Sequence, residues 1–302
     1  MKPHLLHLLS LLLIITGLPA GTCLATDSKS QVQLALHKLY QFRFLDADSI
    51  ISELETKHAS DYIPAMARAS YHWWSMISQE QNAEIRADYI SNLLHAEQLI
   101  NASSPNHLRD EQLFFLIHVH AYQLRLELMQ GDYFRAYRNL NKSIRHIGAS
   151  LGREEEYPAF LLTSGLYNYM TEYIRINHPL FRFYLLLHPR GSMPLGLKHL
   201  QMAADQDDKV LHTEARYFLM RIYLDLEDRP EKAMDYASWL TEMYPENLIY
   251  LYYHHHIASV LSMPDLVSVL EKKYFKALDY NRQLNTEQRA YFKNLLQPEF
   301  LE

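Results

Sequence analysis

Beyond residue 25 the apolar positions of this chain recur three and four residues apart rather than two, the spacing that lines one face of a helix. Runs of β-branched residues are short, and the 302 residues include only 8 glycines, so little of the pattern reads as strand. Prolines punctuate the helical pattern at Ser104-Pro105, Tyr157-Pro158, Met193-Pro194, Arg229-Pro230 and Met263-Pro264. In the first turn of a helix a proline loses no hydrogen bond, because its missing N–H has no partner there, so these positions predict helix starts. The reading is an all-α domain over residues 26–302, built from about a dozen helices in antiparallel pairs joined by short turns.

The first 25 residues read differently. Lys2 precedes an apolar run from Leu8 to Ile15, helix-breaking Gly17 and Pro19 follow, and Ala25 offers a small residue for cleavage. This is the layout of a secretory signal peptide over residues 1–25, and its apolar run is short for a bilayer span. Cleavage predicts a protein exported to the periplasm, to the cell envelope or outside the cell, without a membrane span. It would also remove Cys23, the single cysteine, and with it any disulfide, thiolate or thiolate metal ligand. If Cys23 is retained and lipidated, Thr22 departs from the small residue that a bacterial lipobox places before its cysteine.

Repeats are the next question for an all-helical chain. The stretch TEARYFLMRIYLDLEDRPEKAMDYASWLTEMYPEN, 213–247, places Ala215, Tyr217, Leu219 and Tyr223 in one helix and Ala233, Ala237 and Leu240 in a second, with Pro245 and Asn247 at its exit. A second stretch carries Gly131-Asp132-Tyr133 and then Ala136, a helix-ending glycine followed by an alanine that lets the partner helix come close. Both resemble the tetratricopeptide repeat family, the first with one extra residue in the turn before Ala233. Weaker matches place small residues at Ala47, Ala87, Gly196 and Ala203, and the markers at 47, 87, 136, 196 and 233 depart from a steady period. An insertion between Ile176 and Ser192 accounts for the longest interval. The resemblance implies a tetratricopeptide-like α-α solenoid, a right-handed superhelix of antiparallel helix pairs.

Composition narrows the function. The chain carries 29 basic and 35 acidic residues, a net charge of −6 that becomes −7 once Lys2 is removed. Such a mildly acidic balance argues against a nucleic-acid or anionic-lipid surface. No nucleophile elbow, zinc-protease helix, phosphate loop or dinucleotide-binding glycine motif occurs, so the sequence reads as non-enzymatic and without a cofactor. His118 and His120, two apart, point away from each other on a helix. His254, His255 and His256 fan out in the same way, so no metal ligand set is predicted; one of the three should pack toward the neighbouring helix and another should reach the groove or solvent. Glu154, Glu155 and Glu156 read as a solvated run before a helix beginning near Pro158. Trp73 and Trp74 are adjacent, so at most one indole is expected to face the core squarely and the other to lie nearer a groove or edge, with core packing favoured over ligand contact for the pair.

Tyrosine, 22 against 12 phenylalanines, is the one compositional lean toward binding. The resemblance implies a scaffold that holds a peptide or protein segment in the concave groove, contacted by the first helix of each pair. Carried onto the best-matching stretch, 213–247, it nominates Glu214, Tyr217 and Arg221, and applied more loosely to GLYNYMTEY it nominates Tyr169 and Tyr173. The alternatives are a structural subunit of an envelope assembly, or a helical enzyme whose site is gathered from scattered residues.

Overall fold

The computed structural model describes residues 26–79, 82–104, 107–179 and 182–297. The signal peptide predicted over residues 1–25 and Cys23 lie outside the described residues, and so does the helix start predicted at Pro105. The helices, in chain order, are α1 (Thr26–Tyr40), α2 (Phe44–Lys57), α3 (Tyr62–Ile77), α4 (Ala83–Ser103), α5 (Asp110–Met129), α6 (Tyr133–Ser150), α7 (Phe160–Asn177), the single turn α8 (Arg182–Leu185), α9 (Met193–Ala204), α10 (Lys209–Asp225), α11 (Pro230–Met243), α12 (Leu248–Val260), α13 (Pro264–Tyr280) and α14 (Thr286–Leu296). Among the described residues there is no strand, and neighbouring helices pack as pairs. Two compact units result, one from residues 60–62 and 93–218, the other from residues 26–59, 63–92 and 219–297.

Pro230 and Pro264 open α11 and α13 and Pro194 sits in the first turn of α9, as the proline pattern predicts. Pro158 falls just short, since α7 begins at Phe160. Four helix hairpins close on one kind of turn. A residue with positive φ follows the first helix: Phe42 (58°), Gly131 (74°), Asp228 (50°) or Ser262 (56°). The next amide then reaches back to a carbonyl of the last helical turn: Arg43 to Lys38, Asp132 to Glu127, Met263 to Ala258 at 2.8–3.0 Å, and Arg229 to Tyr223 at 2.8 Å across one extra residue. These bonds satisfy carbonyls that a helix end otherwise leaves open. Five positions beyond three of the four left-handed residues sit Ala47, Ala136 and Ala233, all buried.

In the unit of residues 60–62 and 93–218, α5 is the enclosed element, buried on every face from Glu111 to Leu124. A helix apolar all round belongs inside a bundle, and α5 meets α6 through the Gly131 turn. Helices α7 and α9 run antiparallel at very close range. A Cβ on Gly196 would stand 2.5 Å from the Tyr169 amide nitrogen and 2.7 Å from the Gly165 carbonyl oxygen, and one on Gly165 would stand 2.9 Å from Leu200. The expected insertion after Ile176 is the irregular connection between these two helices, with α8 in its middle.

In the other unit α3 is the buried element, and both of its tryptophans are in the core. Trp74 meets Tyr40, Phe42 and Tyr250 with ring centroids 5.9, 5.7 and 6.3 Å away, while Trp73 lies 6.0 Å from Tyr89. Core packing of the pair is as expected, and only the expectation that one indole lies nearer a groove or edge is corrected, because α3 is covered on opposite sides. The first helices of the chain also pack against the last ones. Tyr40 meets Tyr244 at 5.4 Å, Phe42 meets Phe292 at 5.4 Å, and the Leu45 amide donates to Gln283 at 2.9 Å. A linear array, in which each repeat touches only its neighbours, has no such contact. A second correction concerns Ala87, which is exposed; the buried stripe of α4 is Tyr89, Leu93, Ala96 and Ile100.

Candidate functional site

The nominated residues sit on two helices. Glu214 and Tyr217 on α10 and Tyr169 on α7 are enclosed, with relative exposures of 2%, 5% and 0%. Arg221 and Tyr173 keep part of their surface. The Arg221 guanidinium lies over the Tyr253 ring, 4.5 Å from its centroid, and its Nε donates to Asp225 at 2.6 Å. Both contacts hold the side chain flat against its surroundings. Tyr173 stacks on Tyr169 at 6.1 Å and 17° between planes. This pair forms because residues four apart share a helix face.

Sequence spacing gave no hint of a polar cluster that the α7–α9 crossing creates. Ser164 Oγ lies 2.8 Å from Nδ1 of His199, and Glu154 Oε1 lies 4.0 Å from the same nitrogen. A serine–histidine–carboxylate relay needs the hydroxyl and the carboxylate on opposite ring nitrogens, with the hydroxyl open to substrate. Here they share one nitrogen and Ser164 is fully buried, so the cluster can orient His199 and tie the two helices together. Burial lowers the His199 pKa, and Glu154 opposes that shift. Glu154 is thus turned inward, unlike the solvated run expected for residues 154–156; Glu155 and Glu156 are exposed. Elsewhere in the unit, Tyr62 donates to the buried Glu111 at 2.8 Å, and Asn139 donates to Glu127 at 2.9 Å, a carboxyl whose pKa burial raises.

Most of the histidines bear on packing. His118 Nδ1–H donates to the Phe114 carbonyl at 2.7 Å, and its ring lies 4.0 Å from that of Phe114. His120 stacks on His146 at 5.4 Å and faces Glu97 at 3.7 Å. The triple run on α12 fans out: His254 is buried against α11, with Nδ1 2.8 Å from Thr241 Oγ1, His255 is half-buried, and His256 is exposed and stacked on Tyr252. Among the described residues no group of three histidine, cysteine, aspartate or glutamate side chains is placed to hold a metal ion. Nor is any described helix long and apolar enough to cross a membrane.

Comparison with protein-family models, with curated proteins and with solved structures returned no match.

Proposed function

We propose that this chain is an exported, non-enzymatic scaffold whose helix pairs are divergent tetratricopeptide-like repeats that hold a peptide or protein segment. The observation that carries the reading is the shared hairpin turn. The left-handed residues Asp228 and Ser262 stand 34 residues apart, the period of the family, and the buried alanine five positions beyond the turn recurs at Ala47, Ala136 and Ala233. A repeated turn followed by a small crossing residue is what a stack of helix pairs requires of its sequence.

On this reading Tyr173, stacked on the enclosed Tyr169, is a contact of one unit and Arg221 is a contact of the other, while Glu214 and Tyr217 are enclosed. The test is affinity capture from the envelope fraction, followed by titration of the identified partner against R221A and Y173A. Loss of affinity with unchanged helicity supports the reading. A partner bound equally by the parent and both variants rejects these contacts. Export is checked by N-terminal sequencing of the mature protein, which should begin at Thr26.

A further inference from the structure

The chain's net charge of −6 conceals an uneven distribution. No aspartate or glutamate occurs from Tyr133 to Arg153, nor from Tyr173 to Ala204, although these segments carry Arg135, Arg138, Lys142, Arg145, Arg175, Arg182, Arg190 and Lys198. The fold brings the two together within one unit. Tyr184 of α8 lies 5.7 Å from the Tyr137 ring and donates from its hydroxyl to Asn141 at 3.1 Å, which seats the α8 segment on the outer face of α6. Arg182 Nε donates to the Arg175 carbonyl at 2.8 Å and holds the segment's start to the end of α7.

Three of the most exposed large apolar side chains described in the molecule stand on this ridge: Leu187 at 82%, Leu186 at 76% and Phe134 at 72%. Tyr133 and Tyr137 flank them, exposed in turn. On α6 the stripe Tyr133, Tyr137 and Asn141 meets α8, and the adjacent stripe runs Phe134, Arg138, Lys142 and Arg145. The ridge therefore offers protruding aliphatic tips, tyrosines at their margin and a surround of arginine and lysine. Carboxylates pair with three of these cations: Asp132 with Arg135 at 3.3 Å, Glu97 with Lys142 at 3.4 Å and Glu172 with Arg175 at 3.0 Å.

We infer that this α6–α8 ridge docks peripherally on a bilayer carrying anionic phospholipid, with Leu186, Leu187 and Phe134 entering the acyl boundary and the arginines meeting the headgroups. Three physical points favour a bilayer over a protein as the occupant. A fluid interface makes no demand for a matching pocket, so protruding leucines suffice. Tyrosine settles at the headgroup level, where one end of the side chain is apolar and the other wet. The surround keeps a basic excess, with Arg138, Arg145 and Arg190 exposed beside the paired cations, and such an excess attracts an anionic surface. The overall acidic balance does not oppose this, because charges beyond a Debye length, about 10 Å at 0.1 M salt, are screened.

The test is flotation of the full chain with phosphatidylcholine vesicles, with and without phosphatidylglycerol. The parent should float only with the anionic vesicles, and added salt should weaken it. L186S/L187S and R138Q/R145Q/R190Q should each partition roughly tenfold less, with unchanged circular dichroism. Because residues 8–15 are themselves apolar, equal flotation of the parent and both variants would assign lipid binding elsewhere and overturn the proposal. A polarity-sensitive fluorophore on L187C, in a Cys23→Ser background, should shift to the blue with anionic vesicles. An unshifted probe on a chain that floats overturns it as well. So does a parent chain with no vesicle affinity whose protein partner is lost in L186S/L187S, which would make the ridge a protein-docking surface.

Discussion

The side chain of Asn247 ties the start of α12 to the end of α1: its Nδ2 donates to the carbonyl of Tyr40 at 2.8 Å, across 207 residues, while its Oδ1 accepts from the amides of Ile249 and Tyr250. Asn247 is fully buried, so neither role can be replaced by water. Asn247→Asp keeps an acceptor for the helix cap but sets a carboxylate oxygen against a carbonyl. Asn247→Ala loses both roles. Urea unfolding should show a loss of about 2–4 kcal/mol for Asn247→Ala. If only the cap matters, Asn247→Asp will match the parent; a clear loss shows that the tie to Tyr40 contributes.

Gly196 and Gly148 make a matched pair. A Cβ on Gly196 meets the backbone of α7, which cannot move aside without separating the two helices, whereas one on Gly148 meets nothing within 4 Å. Gly196→Ala should cost about 3 kcal/mol, and Gly148→Ala, inside α6, should add up to about 1 kcal/mol by lowering the entropy of the unfolded chain. Equal effects of the two substitutions in thermal unfolding would contradict the close α7–α9 crossing.

The hairpin turns predict a gain from glycine. Ser262 is exposed and held at a φ of 56°, a region costly for any residue with a Cβ. Ser262→Gly should stabilise the protein by about 1 kcal/mol and Gly131→Ala should destabilise it by a similar amount. Guanidinium titrations that reverse these signs would reject the shared turn.

Acid should weaken the protein through its enclosed histidines. Burial holds His118 at about 4 and His120 at about 3, the latter pushed further by Lys142 and His146, and burial holds His254 at about 4 with Lys273 adding to the effect. In the unfolded chain these groups protonate near their ordinary pKa of about 6.5, so below that pH the unfolded state binds protons that the folded state refuses. Their contribution is intact above pH about 6.5 and is lost as pH falls toward about 4, at up to about 1.4 kcal/mol per pH unit for each histidine. Stability measured in urea should therefore drop between neutral pH and mildly acidic pH. His254→Gln, which keeps a polar side chain toward Thr241, should flatten that slope; an unchanged slope would show that His254 does not contribute.

The sequence by itself determined that the described chain is helical, where proline could open helices, that Gly131 ends a helix in a turn, and that Ala136, Gly196 and Ala233 mark close approaches. These are local matters, decided by hydrogen-bond availability, backbone freedom and side-chain volume over one or two turns. Only the tertiary structure decided that Phe42, Asp228 and Ser262 share the conformation of Gly131, since a non-glycine residue is held there by its surroundings. It also decided that both Trp73 and Trp74 are covered, that Ala87 is exposed while Ala96 packs, and that Ser164 meets His199. The contact of Tyr40 with Asn247, and the meeting of the acid-free segments at Tyr137 and Tyr184, belong to the same class. Periodicity tells which face of a helix is apolar; which partner covers it depends on contacts between residues far apart in the chain, and no local spacing encodes those.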